Sequence, residues 1–271
     1  MTEVKSLPKS LVALVEALEF EQPRVVSLPM LTQIALKSGV SVDETSTAKL
    51  AYRLQDLGWL GSLRTKNAWE FIPGSRAGVF GSGDRFIEFR SYRLVHPEWP
   101  GILAMESAAS VLGLAQQWPN REVVSLPPGF ALPKSLDDWR RVTAPVWSEG
   151  REIRDGMPCW NLEGLLAGIA IRPSGYEDLP GLAQWLPDTS SKMDKAKLTA
   201  CLSSQPESVW QRAAYLLGVA GDSDIAEELM EERPPRHMIW FSATRTNGVY
   251  DPVSKVSDAD LAPYLEGGTG A

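Results

Sequence analysis

The spacing of apolar residues over the first 72 positions leaves few folds open to this chain, because the pattern changes character at defined breaks. Leu11, Leu14, Val15 and Leu18 fall at i, i+3, i+4 and i+7, one face of a helix over residues 9–20 that Gln22-Pro23 ends. Val25-Val26 form at most a short extended piece. Ser27, with Pro29 behind it, reads as the cap and first turn of a second helix over residues 28–37, which turns Leu31, Ile34, Ala35 and Leu36 inward before Ser38-Gly39 stops it. A third helix is expected over residues 44–57, capped by Asp43 and burying Leu50, Ala51, Leu54 and Leu57. Gly58-Trp59-Leu60-Gly61 then breaks the helical period. Residues 59–63 are extended, Arg64-Thr65-Lys66-Asn67 is a polar turn, and residues 68–72 alternate as a returning strand. Helix, helix, short turn, helix and hairpin is the order of a winged helix-turn-helix, with Ser38-Gly39-Val40 as the turn that sets two compact helices at a steep angle.

The small residues Ser75, Ala77, Gly78 and Gly81 mark the best linker, so the expected division is a domain over residues 1–80 and a second over 81–271. In the second, helical spacing appears over residues 84–95, 104–114, 160–171, 179–186, 192–202, 209–217 and 225–232. Strands are expected at 121–126 and 238–244, and the stretch 133–148 fits either one helix or a strand pair. The fold class expected is α+β: an N-terminal winged helix-turn-helix domain followed by a larger, mainly α, mixed α/β C-terminal domain.

A chain of 271 residues with 44% hydrophobic and 23% charged residues has a globular composition, which excludes disordered and collagen-like classes. Its longest apolar runs, such as residues 165–171, fall far short of the roughly 18 residues of a membrane span. With no secretory leader pattern and two widely separated cysteines, Cys159 and Cys201, the expected location is the cytoplasm. Charge is uneven. Residues 24–80 carry seven Lys/Arg against four acids, a net of +3, whereas residues 81–271 carry 18 against 26, a net of −8. Such an asymmetry suggests different partners for the two parts.

Little in the chain suits catalysis. The two histidines, His96 and His237, sit in no metal-ligand spacing, and the sequence lacks GxxxxGK[ST], GxGxxG and GxSxG, so no metal, cofactor or catalytic residue is expected. Asp222, Asp224, Glu227, Glu228, Glu231 and Glu232 fall within one helix, reading as a solvated face or, less simply, as a docking surface for a basic partner. Gly164 and Gly168 lie one turn apart and would let another element come close. The informative face is that of the third helix. Thr45, Ser46, Lys49, Tyr52 and Arg53 are its candidates for DNA contact, opposite Leu50, Leu54 and Leu57, and Thr47 is also available. Arg64, Lys66 and Asn67 at the hairpin tip are placed to touch backbone or minor groove. The partner these residues imply is double-stranded DNA.

The segment 34–72, with Lys49-Leu50-Ala51-Tyr52-Arg53-Leu54-Gln55-Asp56-Leu57-Gly58-Trp59-Leu60 at its centre, resembles the N-terminal domain of AbiEi-family antitoxins of type IV toxin–antitoxin systems. Three later pieces are similar to the same family in the same order: Met105–Leu114, residues 162–187 with Gly181-Leu182-Ala183-Gln184-Trp185, and Gln211-Arg212-Ala213-Ala214-Tyr215-Leu216-Leu217-Gly218. The resemblance implies a winged-helix domain that represses its own operon by binding double-stranded promoter DNA, a C-terminal domain combining antitoxicity with a role in DNA binding, and a cognate nucleotidyltransferase-like toxin as partner. It implies that Lys49, Arg53, Arg64 and Lys66 correspond to recognition helix and wing. The reading from sequence is therefore a non-enzymatic autorepressor and antitoxin. Its rivals are a nucleic-acid-modifying enzyme delivered by a winged helix and a protein-interaction scaffold without DNA binding.

Overall fold

The computed structural model describes residues 8, 11–40, 44–76 and 83–266. They divide into two compact units, one of residues 1–99 with 132–137 and the other of residues 100–131 with 138–271. The first unit thus runs well past the split expected near residue 80 and takes in a short piece of later chain.

In the first unit, α1 (Val12–Glu21), β1 (Val25–Ser27), α2 (Leu28–Lys37), α3 (Glu44–Asp56), β2 (Leu60–Ser62) and β3 (Ala68–Phe71) follow in the order expected from the spacing. The strands form an antiparallel sheet in the order β1-β3-β2, with Val26 opposite Trp69 and Leu60 opposite Phe71. Ser27 belongs to sheet and helix at once. It is the last residue of β1 and the N-cap of α2, where its Oγ accepts the Met30 N–H at 3.4 Å and Pro29 fills the first turn. Helices α2 and α3 end alike. Gly39 and Gly58 take φ of 77° and 74°, and the next residues, Val40 and Trp59, donate back to Ala35 O and Leu54 O. Leu14, Leu18, Val26, Leu31, Ile34, Ala35, Ala51, Leu54 and Leu60 make the core of this unit. Leu36 departs from expectation and is 55% exposed, because a rotation of about 100° per residue carries it away from the Leu31–Ala35 face. The expected cap Asp43 and most of the expected linker, residues 77–82, lie outside the described residues. The unit is completed by α4 (Ile87–Val95), which packs against β1 and β3, and that packing is why its boundary falls beyond residue 80.

The second unit is built on a mixed five-stranded sheet. Its strands are β4 (Ile102–Leu103), β5 (Val123–Leu126), β6 (Arg140–Thr143), β7 (Arg151–Arg154) and β8 (Met157–Trp160), in the order β6-β5-β4-β8-β7. Helix α5 (Met105–Val111) intervenes after β4. The open choice for residues 133–148 resolves into a 3-10 turn, Lys134–Leu136, and strand β6. The helix expected from residue 160 begins later, as α6 (Leu162–Ile171), because 157–160 are held in the sheet. Glu163–Ala170 are all buried, so α6 is enclosed on every side rather than amphipathic. Around it stand α7 (Leu179–Trp185), α8 (Lys195–Leu202), α9 (Glu207–Ala220) and α10 (Ser223–Glu232). A small sheet of β9 (Ile239–Trp240), β10 (Val249–Asp251) and β11 (Val256–Asp258), in the order β10-β11-β9, and α11 (Ala262–Glu266) complete the unit. Among the described residues no helix is long and apolar enough to cross a membrane.

The close approach expected at Gly164 is present. A Cβ there would lie 1.9 Å from Gly150 O, while one at Gly168 would meet the Trp160 ring at 2.4 Å. Gly164→Ala is therefore expected to lower stability by about 2–3 kcal/mol. Gly218→Ala, within α9 and with nothing inside 4 Å of the added Cβ, should raise it by up to about 1 kcal/mol. Urea unfolding of the full chain followed by circular dichroism checks both signs.

Candidate functional site

Helix α3 divides cleanly between core and solvent. Leu50, Ala51 and Leu54 are buried and Leu57 is half-buried, while Ser46, Lys49, Tyr52 and Arg53 are exposed. The Tyr52 ring, 60% exposed, stands edge-on to Trp69 of β3 with centroids 6.3 Å apart, which braces the helix against the hairpin. Thr45 is in the first turn of α3, and its side chain lies outside the described residues. Thr47 is not available for contact. It is wholly buried, with its Oγ1 3.1 Å from Thr32 Oγ1, whose hydroxyl also lies 3.0 Å from Leu28 O. Its position at the a helix–helix seam, one turn before Ala51, makes it a fastener between α2 and α3.

The hairpin tip brings Arg64, Lys66 and Asn67 together, but in unequal states. Lys66 and Asn67 are exposed, and Asn67 takes a φ of 60° while its carbonyl accepts the Leu28 N–H at 3.0 Å. Arg64 is engaged by acids. Its backbone N–H donates to Glu88 Oε1 at 2.8 Å, and its Nη1 lies 3.1 Å from Asp137 Oδ1. The buried Thr65 receives the Ser91 hydroxyl at 2.8 Å and has its own Oγ1 3.5 Å from Glu88 Oε2. Glu88 and Asp137 are separated from Arg64 by 24 and 73 positions. No local pattern in the sequence signals such anchors.

The second unit holds an open cleft of about 260 Å³ lined by Glu106, Trp118, Arg121, Arg140, Glu177 and Asp178 among others. Met105, the first residue of α5, is buried at a φ of 49°, an unusual conformation for a non-glycine residue. It precedes Glu106, which is only 3% exposed. The Glu106 carboxylate accepts from Arg140 Nη2 and from the Glu177 backbone N–H, and Arg140 Nη1 lies 2.6 Å from Glu177 Oε1. Arg121 donates to the carbonyls of Asp138 and Trp139 at 2.7 and 3.1 Å. Both arginines thus face protein acceptors. Burial raises the Glu106 pKa above the ordinary 4.5, outweighing the donors around it.

Elsewhere, α10 buries Ala226, Leu229 and Met230 and exposes Asp224, Glu227, Glu228, Glu231 and Glu232, with Glu228 paired to Lys195. Burial pushes the thiols of Cys159 and Cys201 up to about 12, so neither is a nucleophile near neutral pH. Among the described residues no group of three or more His, Cys, Asp or Glu could hold a metal ion.

Residues 101–219 match the family model of the AbiEi antitoxin C-terminal domain. Three of the four pieces that carry the resemblance read from the sequence, residues 105–114, 162–187 and 211–218, lie inside this match. The fold as a whole is similar to the crystal structure of the RV2827C protein from Mycobacterium tuberculosis, at 27% identity and a TM-score of 0.79, over 98% of this chain and 97% of that one. No curated protein matches the chain by sequence.

Because the folded state holds the Glu106 proton to higher pH than the unfolded chain, this residue's contribution to stability is greatest below its unfolded pKa and declines as pH rises through the raised value. Denaturation midpoints of the wild type and Glu106→Gln, measured from about pH 4 upward, should differ most in the wild type's favour at the acid end. A pH-independent difference would contradict this assignment.

Proposed function

With an AbiEi antitoxin C-terminal domain at residues 101–219 as the premise, we propose that the protein is the antitoxin and transcriptional autorepressor of a toxin–antitoxin operon. The first unit is a winged helix-turn-helix, with α3 as the helix that enters the major groove and the β2–β3 hairpin as the wing. The second unit counteracts a nucleotidyltransferase-like toxin. The antitoxin role rests on the family match. The DNA-binding role rests on one observation above the others: Ser46, Lys49, Tyr52 and Arg53 are exposed together on the side of α3 away from its buried Leu50, Ala51 and Leu54.

Residue types and placement agree with that role. Ser46, Lys49 and Arg53 fall at i, i+3 and i+7, so one side of the helix presents a hydroxyl and two cations. Lys49 and Arg53 suit phosphates or the acceptor edge of guanine, and Ser46 and Tyr52 can hydrogen-bond to either base edges or backbone. At the wing, Lys66 and Asn67 extend the same polar character. The net charge of −7 for the whole chain makes local placement of cations, rather than overall attraction, the source of affinity. The protein works in the cytoplasm, beside its operon, and carries out no catalytic step of its own.

The test is fluorescence anisotropy of the full-length protein on a duplex from immediately upstream of its own coding sequence, beside a scrambled duplex, at two salt concentrations. The wild type should prefer the upstream duplex and bind less tightly at higher salt. Lys49→Ala/Arg53→Ala should bind at least about tenfold more weakly, with a salt slope shallower by about 2, while its circular dichroism and melting temperature stay unchanged. Equally feeble wild-type binding to both duplexes would instead make this unit a protein-interaction module.

A further inference from the structure

We propose that the exposed edge strand β7 is where a second copy of this chain docks, the two β7 strands pairing antiparallel about a two-fold axis with Ile153 opposite Ile153. Such a dimer does not depend on the DNA-binding role. Strand β7 ends the sheet order β6-β5-β4-β8-β7, so one of its sides has no strand beside it among the described residues. Its hairpin to β8 is closed by Asp155-Gly156, whose φ of 49° and 73° suit the two-residue turn that fixes register. Just beyond the strands, the Asn161 N–H donates to Gly150 O, its partner across the hairpin. By the antiparallel alternation Glu152 and Arg154 then turn their backbone groups to β8, and Arg151 and Ile153 turn theirs outward. Outward N–H and C=O groups on an edge are a template for another strand. Ile153, between charged neighbours, is 67% exposed.

The order of charges selects the occupant. Charged side chains on an edge ordinarily discourage pairing. Because outward backbone groups must meet outward ones, every two-fold register sets one residue opposite its own copy. Arg151, Glu152 or Arg154 in that place would bring like charges together, which opposes pairing. Ile153 in that place brings together two apolar side chains, and the two copies exchange both backbone hydrogen bonds. In the same register Glu152 of each copy stands opposite Arg154 of the other, and Arg151 opposite Asp155. Within one copy Arg154 Nε already pairs with Glu152. In the dimer two such pairs lie side by side with their signs reversed, so each charge gains a second opposite neighbour. The strand has 4 residues, so the area it can bury is small and association is weak.

Sedimentation equilibrium of the full-length protein tests this. The wild type should pass from 29.8 kDa toward twice that mass between about 5 and 500 µM. Glu152→Arg and Arg154→Glu should each weaken association at least about tenfold, because each sets like charges opposite one another on both sides of the axis. An equimolar mixture of the two variants should associate again, since each supplies the sign that the other lacks. Ile153→Pro, which removes an outward N–H and leaves the bonds to β8 in place, should stay monomeric. A wild type of monomer mass throughout overturns the proposal. Variants that associate like the wild type also overturn it, by placing the contact elsewhere. So does a mixture that stays monomeric while the wild type associates, because this register is then excluded. Melting temperatures confirm that each variant is folded.

Discussion

The second unit depends on the backbone contact at which α6 meets Gly150. Asn161 makes that contact possible. Its Oδ1 caps the helix by accepting the Gly164 N–H at 2.9 Å, its Nδ2 donates to Glu149 O at 2.7 Å, and its own N–H donates to Gly150 O at 3.2 Å. One side chain and one peptide group thus tie the start of the helix to the chain just before β7. The helix so placed carries Leu165, Leu166, Ile169 and their neighbours into the middle of the core, with α8 and α9 packed against it. A Cβ at position 164 has no room because the contact is backbone on backbone, and neither partner can rotate away as a side chain could. The buried Glu163 adds a polar tie by accepting the Asp194 N–H at 2.9 Å ahead of α8.

The first unit is organised by short polar links across small elements. Ser27 joins sheet to helix, the Thr32–Thr47 pair fastens α2 to α3, and Glu88 holds the tip of the hairpin. Buried polar groups that find partners fix geometry more sharply than apolar contacts, which tolerate sliding. The exposed face of α3 is consequently presented at a set angle. Its cations are few, and one of the hairpin's two, Arg64, already faces an acid. On the DNA-binding role proposed for it, such a surface suits sequence-selective contact by hydroxyl, amine and guanidinium groups better than broad electrostatic attraction.

Much of the first unit was legible because its signals are local. The apolar stripe of α2, the cap at Ser27, the stops at Gly39 and Gly58 and the alternation of β3 each lie within a few residues of the structure they specify. Leu36 misled because it adjoins a true core position, and Thr47 because a threonine on a polar helix gives no sign that a second threonine waits 15 residues earlier. In the second unit the helices and strand β5 were readable and the rest of the sheet was not. Strand β4 has two residues, and β7 is an exposed edge carrying Arg151, Glu152 and Arg154, so neither shows a clear period of two. Strand β8, apolar at Met157, Cys159 and Trp160, runs almost directly into the apolar α6 and so hides its end. The hairpin's anchors, Glu88 and Asp137, and the Glu106–Arg140 pair join distant stretches of chain, which no local pattern encodes.

The first unit is not a continuous length of polypeptide, since residues 132–137 belong to it although they follow β4, α5 and β5 of the second. During synthesis its last piece therefore leaves the ribosome only after a substantial part of the other unit. An N-terminal domain joined to its neighbour by a single connection can finish folding as soon as it emerges. This one has to wait, and in the interval its hairpin tip lacks Asp137. The nascent chain thus holds this hairpin tip in an unfinished state for as long as translation takes to span the intervening strands.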